Sequence, residues 1–336
     1  MQKRYISPMS ASMAAIVIAL LIPAIASPYV TKVLIIAGIY VGLACSLNVV
    51  FGIAGQLNLG QAAFYGIGAY TSALLSIHFH IPFFVTLIAG ALMAAGAGFL
   101  LALPTIRLKG IYLAVTTLAF GEIIRMIFLN WISVTRGPMG IAGIPVPSLF
   151  GFQFMSNFSQ YYLMLGLLLP ALYIMWRLSY SPFGMVLRAV RENEEAAQTL
   201  GVNAQSYKVK AFVVGSAIAG LLGAFFSFHA AYISPSNFSF MESITLLSMV
   251  VFGGLGSMPG VIVAALLLAV APDVLRFMDE YRMIIYGVLL FMMVLLRPQG
   301  IISETLSIKW AARKKRKAAE KQTNQDLTVV SSEGGG

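Results

Sequence analysis

The stretch FFVTLIAGALMAAGAGFLLAL, Phe83–Leu103, contains no charged side chain. A hydrocarbon layer ~30 Å thick is crossed by ~20 apolar residues in helical conformation, so this segment alone predicts a membrane span. Comparable runs occur at Ala11–Ser27, Val33–Phe51, Ala62–Ile77, Ile111–Leu129, Tyr161–Trp176 and Ala211–His229, with shorter ones at Ile244–Phe252, Val261–Ala271 and Met283–Leu296. A membrane β-barrel would alternate apolar and polar residues, whereas these runs are continuous. The sequence therefore predicts an all-α integral membrane protein with about ten transmembrane helices.

Composition agrees with this. Of 336 residues, 59% are hydrophobic and 10% charged, and the mean hydropathy is +0.86. Soluble domains carry about 25% charged residues, so a water-soluble enzyme, a disordered chain and a disulfide-stapled secreted domain are all excluded. One cysteine, Cys45, and three scattered histidines, His78, His80 and His229, predict no metal centre. The net charge of +10 points to membrane orientation rather than nucleic acid.

With the N-terminus inside and ten crossings, 17 of the 22 Lys/Arg residues fall on the cytoplasmic side. They cluster at Lys3–Arg4, at Arg107 and Lys109, between Arg177 and Lys210, and from Arg297 onward. Lys32, Arg136, Arg276 and Arg282 fall outside, and Arg125 lies within a span. This satisfies the positive-inside rule and predicts both termini in the cytoplasm. The first span also fits a cleaved signal peptide, a choice that leaves the later topology unchanged. Residues 1–303 form the membrane domain on this reading. Residues 304–336 form a basic tail, with Arg313–Lys317 suited to anionic lipid.

The segment Gly52–Gln61 separates two spans yet holds three glycines, three amides and no charge. Non-helical backbone at membrane depth survives only beside a cavity or buried in protein, which predicts a discontinuous helix. A related piece recurs about 200 residues later, Val49–Gly55 resembling Val250–Gly256. Paired breaks in two halves of a transporter point to its pathway; close packing of small residues, as around Gly66/Gly68 and Gly96/Gly98, is the competing explanation. Asn48, Gln56, Asn58, Gln61 and Thr117 are the candidate pathway side chains. Glu122 and Arg125 lie three apart in one span. Either they neutralise each other, or Glu122 faces the pathway and reads an ammonium group or a proton. His229 and Glu242 are expected at the surface.

Residues 179–208 are the polar cytoplasmic loop, and Met185–Leu200 reads as one amphipathic helix with Val186, Val190, Ala197 and Leu200 near one face. Gly201 is placed as its C-terminal cap. Such a helix suits a groove on a partner protein. The external loop, 130–160, offers around Arg136–Gly151 either a second docking surface or a loop packed into the bilayer edge.

Within that cytoplasmic helix, Glu195-Ala196-Ala197-Gln198-Thr199-Leu200-Gly201 resembles the coupling loop of membrane subunits of ATP-binding cassette importers. Ser46–Asn48, Asn58–Ala62, Thr117–Ile123, Gly137–Ile141, Ser181–Gly184 with Arg188-Ala189, and Arg297–Gly300 extend the likeness. Over roughly residues 33 to 303 the chain resembles the branched-chain amino acid permease family. The resemblance implies a non-catalytic subunit of a bacterial plasma-membrane importer for leucine, isoleucine and valine, in which Arg188, Glu195, Ala196, Ala197 and Gly201 couple to the ATPase. It further implies two ATPase subunits, a second related permease and an extracytoplasmic binding protein as partners. No Gly-x-x-x-x-Gly-Lys-Ser/Thr occurs, so no cofactor is expected in this chain, and ATP and magnesium belong to the partners. Urea or short-chain amides remain alternative substrates. A self-sufficient proton-coupled carrier or channel using Glu122 remains the alternative of a different class.

Overall fold

A computed structural model of the chain describes residues 22–23, 27–149, 152–274, 287, 300–302 and 304. Helix α1 (Pro28–Leu47) starts where Ser27 accepts a hydrogen bond from the Val30 amide and Pro28 enters the first turn, where its missing N–H costs nothing. Its end widens into a π-helical segment, Asn48–Ile53. There follow α2 (Gln61–Phe79), α3 (Phe83–Thr105), α4 (Ile111–Asn130) and the single turn α5 (Ile132–Thr135). Next come α6 (Asn157–Ser179), α7 (Pro182–Glu192), α8 (Glu194–Thr199), α9 (Ala204–Ala230), α10 (Phe240–Gly253) and α11 (Met258–Val274). Two-residue strands tie connections together: β1 (Ile141–Ala142) pairs antiparallel with β4 (Tyr232–Ile233), and β2 (Ser148–Leu149) with β3 (Phe152–Gln153).

Five helical segments among the described residues are long and apolar enough to cross a membrane: Pro28–Ile53, α3, α4, α6 and α9; α10 and α11 are shorter apolar helices. The expected span in α2 is a helix of 19 residues outside that apolar set. Gln61, Tyr65, Tyr70, Ser72 and Ser76 dilute it, and all five are buried against neighbouring helices rather than offered to lipid. The runs Ala11–Ser27 and Met283–Leu296 lie outside the described residues apart from Ile22, Pro23, Ser27 and Gly287, as do both termini and the tail beyond Glu304.

Lipid tails are as apolar as leucine, so helices in a bilayer are held by close packing and hydrogen bonds rather than by hydrophobic burial. Helices α2, α3 and α9 are joined in this way. A Cβ on Gly68 would collide with the backbone carbonyl of Gly220, one on Gly223 with that of Tyr65, and one on Gly98 with the Ser216 hydroxyl. The Ser72 and Ser227 hydroxyls meet at 2.8 Å between α2 and α9. Phe64 stacks on Phe120 and takes Phe212 edge-on, with ring centres 5.4 and 5.7 Å away. Gly96, grouped with Gly98 in the sequence, instead faces open space. His229, expected at the surface, is half-buried, with Nδ1 2.7 Å from Gln160 Oε1.

This packing makes a contrast testable. Gly68→Ala should lower the thermal midpoint in detergent by the equivalent of about 1–3 kcal/mol, the range for overpacking. Gly96→Ala should be neutral or stabilising by up to about 1 kcal/mol. Equal shifts in the two variants would contradict backbone-close packing at Gly68.

Candidate functional site

The break after α1 is built from side chains that replace lost helix bonds. The Gln56 amide N–H returns to the Val50 carbonyl at 3.0 Å, and Gly55 takes φ +70 to close the turn. Asn48 Oδ1 accepts the Gly256 N–H at 2.9 Å, and its Nδ2 lies 3.6 Å from Met258 Sδ. A Cβ on Gly52 would meet both Asn48 Oδ1 and, at 2.5 Å, the Gly256 nitrogen. The two similar stretches of sequence therefore lie against each other, glycine to glycine. Residues 301–302 close the second break, where the Ile301 N–H donates to the Phe252 carbonyl at 2.8 Å.

Four of the candidate pathway side chains are consumed by these connections. Asn58 Nδ2 donates to Gln61 Oε1 at 2.9 Å, Gln61 Nε2 to Ser46 Oγ at 2.8 Å, and Thr117 Oγ1 accepts the Leu59 N–H at 3.0 Å. With Asn48 they are buried and bonded within the protein. Gln56 differs: its Oε1 is buried with no hydrogen-bond partner, and the residue lines a cavity of about 400 Å³ between the break and the α7–α8 pair. Glu122 stands apart from this group, in an ion pair with Arg125.

The polar loop forms two helices, which corrects the expectation of one helix over Met185–Leu200. Asn193 is extended, and its side chain accepts the Ala196 N–H at 3.0 Å, so the chain restarts as α8. The restart shifts the phase. Val190, Ala197 and Ala204 pack together with Val186 and Val202, while Leu200, expected on the same ridge, is 84% exposed. Glu195, Ala196, Gln198 and Thr199 are exposed beside it. Gly201 has φ +82, its N–H bonds the Gln198 carbonyl, and the Val202 N–H reaches back to Ala197 at 3.1 Å, a Schellman ending.

Ion pairs anchor these helices, mostly through residues the sequence did not single out. Arg188 Nε and Arg191 Nη2 bind the two oxygens of Glu304 at 2.6 and 2.8 Å. Arg188 Nη1 also donates to the Ser179 carbonyl, and Arg191 Nη1 donates to the Gly52 carbonyl inside the first break. Glu194 bridges Lys208 at 2.8 Å and Lys109 at 3.3 Å. Burial opposes ionisation of Glu194, but the hydrogen bonds and charges of Lys208 and Lys109 outweigh it and hold its carboxyl below the ordinary 4.5. The available signal was modest: Arg188 and Arg191, three apart on one helix face, require an acid, but four acids follow Arg297 and spacing cannot choose among them. Among the described residues, no group of His, Cys, Asp or Glu converges as metal ligands would.

Two outcomes follow. Asn48→Leu leaves the Gly256 N–H without its acceptor, so the thermal midpoint should fall by the equivalent of about 1–3 kcal/mol; an unchanged midpoint would mean the two breaks are not joined there. For Glu194, a folded pKa below the unfolded value gives stability that is complete above about 4.5 and lost as pH falls through the lowered folded value. Amide exchange over 194–199, corrected for intrinsic rate, should accelerate only in that acid window, whereas Glu194→Gln should exchange fast already at neutral pH. Identical profiles would remove the electrostatic anchor.

Residues 29–294 match the family described as branched-chain amino acid transport system / permease component. The high-affinity branched-chain amino acid transport system permease protein LivM of Escherichia coli K12 is 39% identical over 332 residues, covering 90% of this chain and 78% of its own. LivH of the same strain is 28% identical, covering 78% and 91%. A probable LivM of Methanocaldococcus jannaschii is 26% identical, covering 85% and 96%. No solved structure matches the chain. With four-fifths of its length inside one family model and this likeness to LivM, the chain belongs to the permease components of branched-chain amino acid transport systems.

Proposed function

We propose that this chain is a membrane permease subunit of an ATP-driven importer of leucine, isoleucine and valine in the bacterial inner membrane. It crosses the bilayer ten times with both termini in the cytosol and works beside a second, related permease. Two ATPase subunits dock beneath the pair, and an extracytoplasmic binding protein delivers substrate to the opposite face, where the 130–160 loop is the candidate receiver.

One observation carries this reading. Helix α8 presents Glu195, Ala196, Gln198, Thr199 and Leu200 outward while the neighbouring α7 is tied through Arg191 to the Gly52 carbonyl in the broken segment. An exposed leucine at the tip of a polar loop suits a groove on another protein. A push on α8 passes through the Val190/Ala197/Ala204 contact to α7, and from Arg191 to the backbone of the break. There Asn48, Asn58, Gln61 and Thr117 hold the break together, and Gln56 stands between the break and the helix pair. In alternating access, those amides exchange partners as the path opens, and the free carbonyl of Gln56 receives a polar atom. Nucleotide drives this if ATPase closure favours one facing state by a few kcal/mol over the other.

Gly201→Val and Leu200→Asp test the lever in the complete transporter reconstituted in liposomes. The first strains a left-handed position by about 1–2 kcal/mol; the second charges the tip. Both should reduce ATP-dependent leucine uptake at least tenfold while subunit insertion stays normal. Unimpaired uptake in both would remove α8 as the coupling element.

A further inference from the structure

The ion pair Glu122–Arg125 takes no part in the coupling site. Arg125 Nε and Nη2 each lie 2.8 Å from Glu122 Oε2. Glu122 is eleven residues from the start of α4 and eight from its end, ~16 and ~12 Å along the axis, and so near mid-membrane. Yet the Arg125 and Glu122 side chains keep 29% and 33% of their accessible surface. Glu122, with Ile123, Met126, Ile127 and Asn130, frames a groove of about 390 Å³ beside the pair, and α4 is the least buried of the five candidate spans among the described residues.

The chemistry of that groove selects what fills it. Hydrocarbon leaves the remaining guanidinium N–H groups and carboxylate lone pairs without partners, which makes lipid a costly cover. An aqueous path would be lined by more polar groups than this one, whose walls besides Glu122 are Ile123, Met126, Ile127 and, at one end, Asn130. A packed helix that is apolar except for one polar side chain meets both requirements.

We propose that this face of α4 docks a transmembrane helix of the second, related permease, and that one polar side chain of that helix completes the hydrogen bonding of the Glu122–Arg125 pair. The proposal rests on the reading that the chain works beside a related permease. Escherichia coli K12 holds both a LivM and a LivH relative of this chain, which favours a related chain over a second copy.

The test uses the complete transporter in its native membrane, with a photoreactive benzophenone amino acid placed at Met126 and, as a lipid-facing control, at exposed Leu92 on α3. After irradiation, mass spectrometry should find the Met126 adduct on the related permease and only lipid adducts at Leu92. Lipid adducts at Met126, adducts to a second copy of this chain, or no protein adduct while the control reacts would overturn the proposal. Ile123→Cys should also resist a membrane-impermeant charged thiol reagent; rapid labelling would assign the groove to an aqueous path instead. ATP-dependent leucine uptake by the probe-bearing transporter separates the two readings. Uptake intact with lipid adducts at Met126 defeats the docking face alone, whereas uptake absent from the unmodified transporter defeats the function it rests on.

Discussion

A carbonyl released where a helix breaks inside a bilayer must find a donor within the protein, because hydrocarbon supplies none. At Gly52 that donor is Arg191 Nη1, which comes from the polar helix pair rather than from a neighbouring span. The same guanidinium reaches Glu304 with Nη2, and Glu304 binds Arg188 as well. One requirement of membrane folding thus connects the first break, the α7–α8 helix pair and the segment after the last hydrophobic run. Gly55, which lies against the Arg191 stem at φ +70, leaves room for the connection.

The two breaks support each other by the same rule. The Gly256 N–H donates to Asn48 Oδ1 across the repeat, and Gly52 permits the backbones to approach to the width of a missing side chain. Such a contact holds firmly in one arrangement and is lost as a unit when either partner moves, which suits an element with two discrete states. Were the breaks to separate, the buried amides that close them would require new partners.

Much of this is legible in the sequence itself. Continuous apolar runs announced helices, the uncharged glycine and amide segment announced the break, and Gly201 announced a helix ending that the Ala197–Val202 bond completes. The α7–α8 division was missed because Asn193 reads as an ordinary polar residue within an amphipathic period, and only its extended backbone and cap bond to Ala196 reveal the restart. Leu200 was misplaced for the same reason, since one interruption changes the face of everything after it. The roles of Arg191, Glu304 and Lys208 depend on partners 113, 139 or 14 positions away in the chain, and periodicity carries no information on such distances.

If ATPase subunits dock on α8 as proposed and Arg191 is the physical link from there to the broken segment, nucleotide must act on residues 50–58 through it. Hydrogen–deuterium exchange of the assembled transporter, with and without a non-hydrolysable ATP analogue, measures this directly. In the native protein the analogue should change exchange at both 194–201 and 50–58; in Arg191→Met the change at 194–201 should persist and that at 50–58 should vanish. An undiminished response at 50–58 in Arg191→Met would show that the break is driven by another route.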